Sequence, residues 1–209
     1  DGIFDAADTN GIVGVTVVLV DSLGTPVATN VTDALGGYSF TNVAPGDYLV
    51  FETDPSGLVS TGDSDGGTDS EIAVSVESGT PSSGNDFLDT PLVGISGQVR
   101  DDLNGDGNLN TLGDPGITNV VIVLTDSLGT PIATNVTDAS GNYSFTNVPP
   151  GDYLVIETDP AGYSSTEDSD GGNDNQIAVT LAASGSSTDN DFLDTRPGAI
   201  EGSVFIDDN

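Results

Sequence analysis

The sequence predicts an all-β protein built as two tandem Ig-like β-sandwiches, the first completed by a strand from a neighbouring copy. Three observations lead there. The first is an internal repeat. DSLGTPVATNVTDALGGYSFTNVAPGDYLVFETDP at 21–55 recurs at 126–160 as DSLGTPIATNVTDASGNYSFTNVPPGDYLVIETDP, an offset of 105 residues. The same offset relates DSDGG at 63–67 to 168–172 and NDFLDT at 85–90 to 190–195. That period suits one Ig-like sandwich and is far too long for a solenoid coil. The second is that each copy holds about seven short β-branched or alternating runs between turn signals, with no helical periodicity. The third lies at the ends. GAIEGSVFIDDN, 198–209, aligns with VGISGQVRDDLN, 93–104. Read tail to head, EGSVFIDDN–DGIFDAADTNGI lacks only the equivalent of Gly105. The expected division is therefore 1–92, a sandwich lacking its first strand; 93–197, a complete sandwich; and 198–209, the first strand and half of a loop of the next domain.

The elements follow in order. GISGQVR, 94–100, is a short strand. ITNVVIVLTD, 117–126, and its counterpart IVGVTVVLVD, 12–21, are continuously apolar and read as central strands. Val120, Ile122 and Leu124 should share one face, as should Val15, Val17 and Leu19. In a lone chain the missing first strand is expected to leave those last three partly uncovered. TPIATNVTD follows a DSLG turn. GNYSFTNV is expected to form a hairpin with it through DASG, with Gly141 or its neighbour taking positive φ. GDYLVIETDP starts at a PPG turn and stops at Pro160. DNQIAVTL and NDFLDT complete the set. Tyr38, Tyr48, Tyr143 and Tyr153 read as core or edge aromatics.

Composition narrows the function. The 209 residues include 34 acids, two arginines (Arg100 and Arg196) and no lysine, for a formal charge of −32. Phosphate binding runs on Lys and Arg, so nucleic acid is excluded as a partner. Anionic membrane surfaces should repel the chain, and no apolar run is long enough to span a bilayer. No signal-peptide pattern is visible, and Asp1 falls inside a motif, as in a processed or excerpted piece. Without His, Cys or Lys, the usual activated nucleophiles are missing, so an enzyme is not expected. Either bound divalent cations or adaptation to high salt would offset the charge. The acids cluster in Asp/Asn/Gly loops, which favours cations.

DDLNGDGNLNTLGDPG, 101–116, is the strongest motif. Asp102, Asn104 and Asp106 alternate, Gly107 permits a sharp turn, Asn108 and Asn110 continue the alternation, and Asp114 closes it. Alternate side-chain oxygens can turn toward one point, and hard oxygen ligands fit Ca2+. The usual loop ends in Glu at its twelfth position, whereas Asp114 comes one place late. The competing reading is an Asx-rich turn. The other copy of the loop is split, with Asp207 and Asn209 at one end of the chain and Asp1, Asp5 and Asp8 at the other. A second cluster, DSDGG, presents Asp63, Asp65 and Asp69, and again Asp168, Asp170 and Asp174, followed by Asp86 and Asp89 or Asp191 and Asp194. It reads either as a second calcium site per domain or as an Asx loop. Asp33 and Asp138 read as turn-fixing. Asn30, Asn135 and Asn142 stand in N-glycan sequons, so covalent glycans are candidate partners.

Strand–DxNxDG–acid-P-G-I, then TDxxGxYxFxNVxPGDYxVxxxxP and a closing NDFLDT, resembles the calcium-binding B domains of serine–aspartate repeat adhesins. These belong to the wider Cna B-type (prealbumin-like) sandwiches. The resemblance implies a rigid, calcium-stabilised extracellular module of stalks, adhesins and fibres. It implies Asp102, Asn104, Asp106, the Asn108 carbonyl and Asp114 as ligands, with Asn110 an additional candidate. Some relatives carry Lys–Asn isopeptide cross-links, which a chain without lysine cannot form. The expected function is a non-catalytic repeat unit of an extracellular filament joined head to tail, by strand donation or as continuous tandem repeats. Its partners would be copies of itself. The alternative is the stalk or ligand-binding region of a surface adhesin.

Overall fold

The computed structural model describes residue 4, residue 8 and residues 10–109 and 113–206. They form fourteen strands in two compact units, Asp1–Leu92 and Val93–Asn209, with no helix among the described residues.

The second unit is a closed two-sheet sandwich. One sheet has the order β13 (Gln176–Leu181), β11 (Gly151–Thr158), β8 (Val121–Asp126) and β9 (Pro131–Val136). The other has the order β10 (Asn142–Val148), β7 (Val93–Asp101), β14 (Phe192–Thr195) and β12 (Ser164–Asp168). Strand β7 is central. It pairs antiparallel with β10 and parallel with β14. Between the sheets lie Ile95, Val99, Ile122, Leu124, Tyr143, Phe145, Val155, Ile177 and Phe192. Period-2 alternation explains the choice. Val120, Ile122 and Leu124 face the core as expected, while Val121 between them is exposed.

The strand pattern departs from expectation in three places. GNYSFTNV does not form a hairpin with TPIATNVTD, because β9 pairs with β8 and β10 pairs with β7 in the opposite sheet. The chain crosses between sheets at the DASG turn, where Gly141 does take positive φ (80°). The first strand is longer than 94–100. The strands β4 (Leu58–Asp63) and β12 were not anticipated, because LVSTGD and SSTED carry too few apolar residues to signal a strand.

The first unit repeats one sheet in full, in the order β2 (Pro26–Val31), β1 (Thr16–Asp21), β3 (Gly46–Glu52) and β5 (Glu71–Val76). Its second sheet is reduced to β4 and β6 (Phe87–Pro91). Residues 37–43, the counterpart of β10, form no strand. The expectation that Val15, Val17 and Leu19 would be uncovered is wrong; all three are buried. They face inward from the intact sheet. The residues that lose cover belong to the reduced sheet. Phe192 and Leu193 are fully buried on β14, whereas their counterparts Phe87 and Leu88 are only half-buried, as are Tyr38, Phe40 and Val43.

Candidate metal centre and open sheet face

The loop that follows β7 gathers much of the expected ligand set. The Asp106 N–H donates to Asp102 Oδ1 (3.0 Å) and Asn104 Oδ1 (2.8 Å). The Gly107 N–H donates to Asp102 Oδ2 (3.2 Å), and the Asn108 N–H to Asp106 Oδ1 (2.9 Å). Gly105 and Gly107 take positive φ, which lets the chain wrap around the carboxylates. Asp114 then comes back against them. It is 6% exposed, and among the described residues its carboxylate has only weak support from the Leu103 N–H, which donates mainly to the Asp101 carbonyl. Burial raises its pKa, and repulsion from Asp106 and Asp102 raises it further. A buried carboxylate facing two others is the arrangement a hard divalent cation would relieve. Asn110 lies outside the described residues.

The split copy of the loop is largely out of view. Asp1, Asp5, Asp207 and Asn209 lie outside the described residues, and Asp8 is exposed.

The DSDGG segments are organised as Asx turns. Asp63 Oδ1 accepts from the N–H groups of Asp65, Gly66 and Gly67 (3.2, 3.0 and 2.8 Å). Asp65 Oδ2 accepts from Ala73 (2.8 Å), and Asp170 Oδ2 from Ala178 (3.1 Å). Asp168 accepts from Gly172 (3.0 Å), and Asp174 from Gln176 (3.2 Å). Backbone donors thus occupy much of the oxygen set that the second-calcium reading requires. Burial and the neighbouring Asp170 still raise Asp168 to about 6. Asp33 and Asp138 fix turns, as expected, and backbone N–H groups hold both below the usual carboxylate range.

The three sequon asparagines are engaged in the fold. Asn30 and Asn135 donate their amides to the Ser39 and Ser144 carbonyls. The Thr32 and Thr137 hydroxyls donate inward to the Ile12 and Ile117 carbonyls (2.6 and 2.7 Å). Asn142 donates to both Asp138 oxygens.

Sequence reasoning read Tyr38 as a core or edge aromatic but did not single out Phe40 and Phe87, which with it line the reduced side of the first unit. In the second unit, β7 fills the equivalent place. Gly97 of β7 lies so close to its neighbours that an added Cβ would sit 1.9 Å from the Asn190 carbonyl and 2.8 Å from the Tyr143 hydroxyl. That hydroxyl donates to the Asn190 carbonyl. The first unit keeps the same pair, Tyr38 donating to Asn85 (2.6 Å), without the glycine strand beside it. Residues 198–206, which repeat the β7 sequence, form no strand. Ile200 and Val204, the counterparts of fully buried Ile95 and Val99, are 103% and 101% exposed.

The fold is a tandem β-sandwich repeat with an acid-lined loop after the first strand of its second unit. The chain belongs to the SdrD B-like domain family, whose model matches residues 1–86 and 94–195. It is 34% identical over its whole length to serine-aspartate repeat-containing protein F of Staphylococcus epidermidis, covering 13% of that protein. It is 35% identical over 96% of its length to the bone sialoprotein-binding protein of Staphylococcus aureus, covering 18% of it. The chain thus spans less than a fifth of these relatives. Among solved structures it is similar to a minor pilin of Streptococcus agalactiae (14% identity, 97% of this chain and 91% of that one, TM-score 0.41). It is also similar to a streptococcal ancillary pilin (14% identity, 90% and 59%, TM-score 0.46). Family membership makes this an extracellular, cell-surface chain with a structural repeat role.

Proposed function

We propose that the chain is a calcium-stabilised, non-catalytic repeat unit of an extracellular filament, in which residues 198–206 of one copy complete the first unit of the next. The observation that carries this is the correspondence between one open sheet face and one unpaired strand sequence. The first unit keeps the Tyr38–Asn85 pair against which a glycine strand packs in the second. The exposed tail holds Ile200, Gly202 and Val204 at the spacing of Ile95, Gly97 and Val99. A strand added to an open edge gains ladder hydrogen bonds and removes an edge that invites misassembly. Because donor and acceptor surfaces differ, the contact is head to tail and does not close on itself. The same joint would bring Asp207 and Asn209 beside Asp1, Asp5 and Asp8, so calcium would bind where copies meet. Separate subunits and successive repeats of a longer chain make the same joint. The printed name of one relative refers to binding bone sialoprotein. A stalk that carries a ligand-binding region elsewhere is the second reading.

Cysteine cross-linking tests the joint, since the chain has no cysteine of its own. In the second unit Ser144 is the register partner of Ser96. The equivalent pair across the joint is Ser39 with Glu201. The variant Ser39→Cys/Glu201→Cys should give, on oxidation, a covalent ladder in steps of the 21.0 kDa chain. Ser39→Cys/Ser203→Cys, two residues out of register, should not. Equal or absent ladders from the two variants would refute the strand placement.

A further inference from the structure

In the second unit Glu157, Asp159 and Asp194 bring one carboxylate oxygen each within 4.8 Å of one another. Glu157 is on β11 and Asp194 on β14, so the cluster links the two sheets across one end of the sandwich. Glu157 is 3% exposed and Asp194 0%. Among the described residues no N–H or O–H group donates to their four carboxylate oxygens; the Glu157 and Asp194 carboxyls have only each other, close enough for one proton to bridge them. Buried carboxylates without a counter-charge are strongly unfavourable. The described residues supply no cation, because Arg100 pairs with Asp191 (3.6 Å) and Arg196 with Asp101. Asp159 is held in place by Asn175 Nδ2 (2.7 Å). Ser165, the cross-strand partner of Asp194, has a buried hydroxyl with no partner. Burial first, and then repulsion from Asp194, lifts Glu157 to about 9, while burial lifts Asp194 to about 6.

The same three residue types recur 105 residues earlier as Glu52, Asp54 and Asp89, although among the described residues only the trio of the second unit brings all three oxygens within 4.8 Å of one another. Glu52 Oε2 and Asp89 Oδ1 are buried without a partner, and so is the hydroxyl of Ser60, opposite Asp89. Asp54 is fixed by a different residue, Ser70, through its hydroxyl (2.8 Å). Burial, with Asp89 and Asp54 close by, lifts Glu52 to about 8. The three acids are kept in sequence while the residue that holds the middle one changes from Asn175 to Ser70.

We infer that Glu157, Asp159 and Asp194 form a divalent-cation site separate from the 101–116 loop, and that Glu52, Asp54 and Asp89 form its counterpart. The ligand set is entirely hard oxygen, with carboxylates from two sheets and neutral oxygens beside them. An irregular cage of this kind suits calcium better than magnesium, which demands near-octahedral geometry. The bound ion would tie β11 to β14 and β3 to β6, fastening the two sheets of each unit. The inference shares its ion with the calcium-loop reading but stands on different residues.

Bound calcium per chain, counted by native mass spectrometry on the full chain, tests it. Asp194→Asn and Glu157→Gln should each hold one ion fewer than the unaltered chain, and Asp89→Asn should lose the ion of the first unit. Asp114→Asn reports on the loop alone, and Asp114→Asn/Asp194→Asn should lose two. If Asp194→Asn or Glu157→Gln prevents folding, Asp159→Asn, the least buried of the three, gives the same readout. Full calcium occupancy in folded Asp159→Asn and Asp194→Asn, with an ion lost only in Asp114→Asn, overturns the inference and leaves the loop reading intact. The reverse pattern overturns the loop reading alone.

Discussion

Replacing Ile200 and Val204 together by alanine should abolish assembly while leaving the separate chain as stable as before. Both side chains are fully exposed, and their counterparts Ile95 and Val99 are 0% exposed in the second unit. The substitutions remove about three and two carbon groups. At about 0.8 kcal/mol per buried group, the loss is roughly 4 kcal/mol. One decade of affinity corresponds to about 1.4 kcal/mol, so association should weaken about a thousandfold. Sedimentation velocity over a concentration series reads this as a rise in the concentration needed for polymer, and thermal denaturation checks that the monomer is unchanged. Ile95→Ala/Val99→Ala is the companion. It should lower the melting temperature of the second unit itself, because there the same positions are core and leave a cavity. Assembly of the Ile200/Val204 variant at wild-type concentrations would refute the reasoning, since no seated strand could lose these side chains without weakening.

Gly202→Val should be silent in the monomer, where an added Cβ meets nothing within 4 Å, and should block assembly, because the equivalent Cβ on Gly97 would collide with a carbonyl 1.9 Å away. Size-exclusion chromatography reads both effects. Asp114→Asn should reduce the calcium-dependent gain in stability by about 1.4 kcal/mol at a calcium concentration tenfold above Kd, measured by calorimetry. Without calcium the same change should be neutral or stabilising, because it removes a buried charge that burial and the neighbouring Asp106 and Asp102 disfavour. In calcium-free solution stability should fall as pH rises from 5 to 9. Glu157 and Glu52 titrate at about 9 and 8 when folded, above their unfolded values, so the folded state holds their protons through that window and loses the benefit as they ionise. The turn aspartates Asp33 and Asp138 are depressed, and their contribution is already complete by pH 5. Melting curves across pH with and without calcium check the sign, and a rise in stability with pH in the calcium-free chain would contradict it.

The sandwich was legible because its information is local. Alternation placed Ile122 and Leu124 in the core, and turn residues such as Gly141 marked strand ends. The DxNxDG spacing marked the loop, and Asp114 lies near enough to Asp106 and Asp102 for their charges to raise its pKa. Sheet assignment was not legible. A strand read as TPIATNVTD followed by one read as GNYSFTNV looks like a hairpin whether the turn folds back or crosses over, and only burial on both sides of the core separates the two. The uncovered residues of the first unit were misjudged for the same reason. Val15, Val17 and Leu19 belong to the sheet that is intact, while Phe87 and Leu88 belong to the one that is reduced. The Glu157 cluster was hidden because its members lie 37 residues apart in sequence and meet only when β11 and β14 pack. Acid spacing along the chain pointed to DSDGG, where backbone N–H groups take much of the oxygen set.

The most direct measurement is electron microscopy of the assembled protein before and after chelation with excess EGTA. The expected result is a regular filament with a spacing of roughly 30–45 Å per unit, set by strands that rise about 3.3 Å per residue, which loosens or breaks once calcium is removed. A filament that keeps its stiffness and protease resistance in EGTA, or a preparation that stays monomeric in calcium, would contradict it.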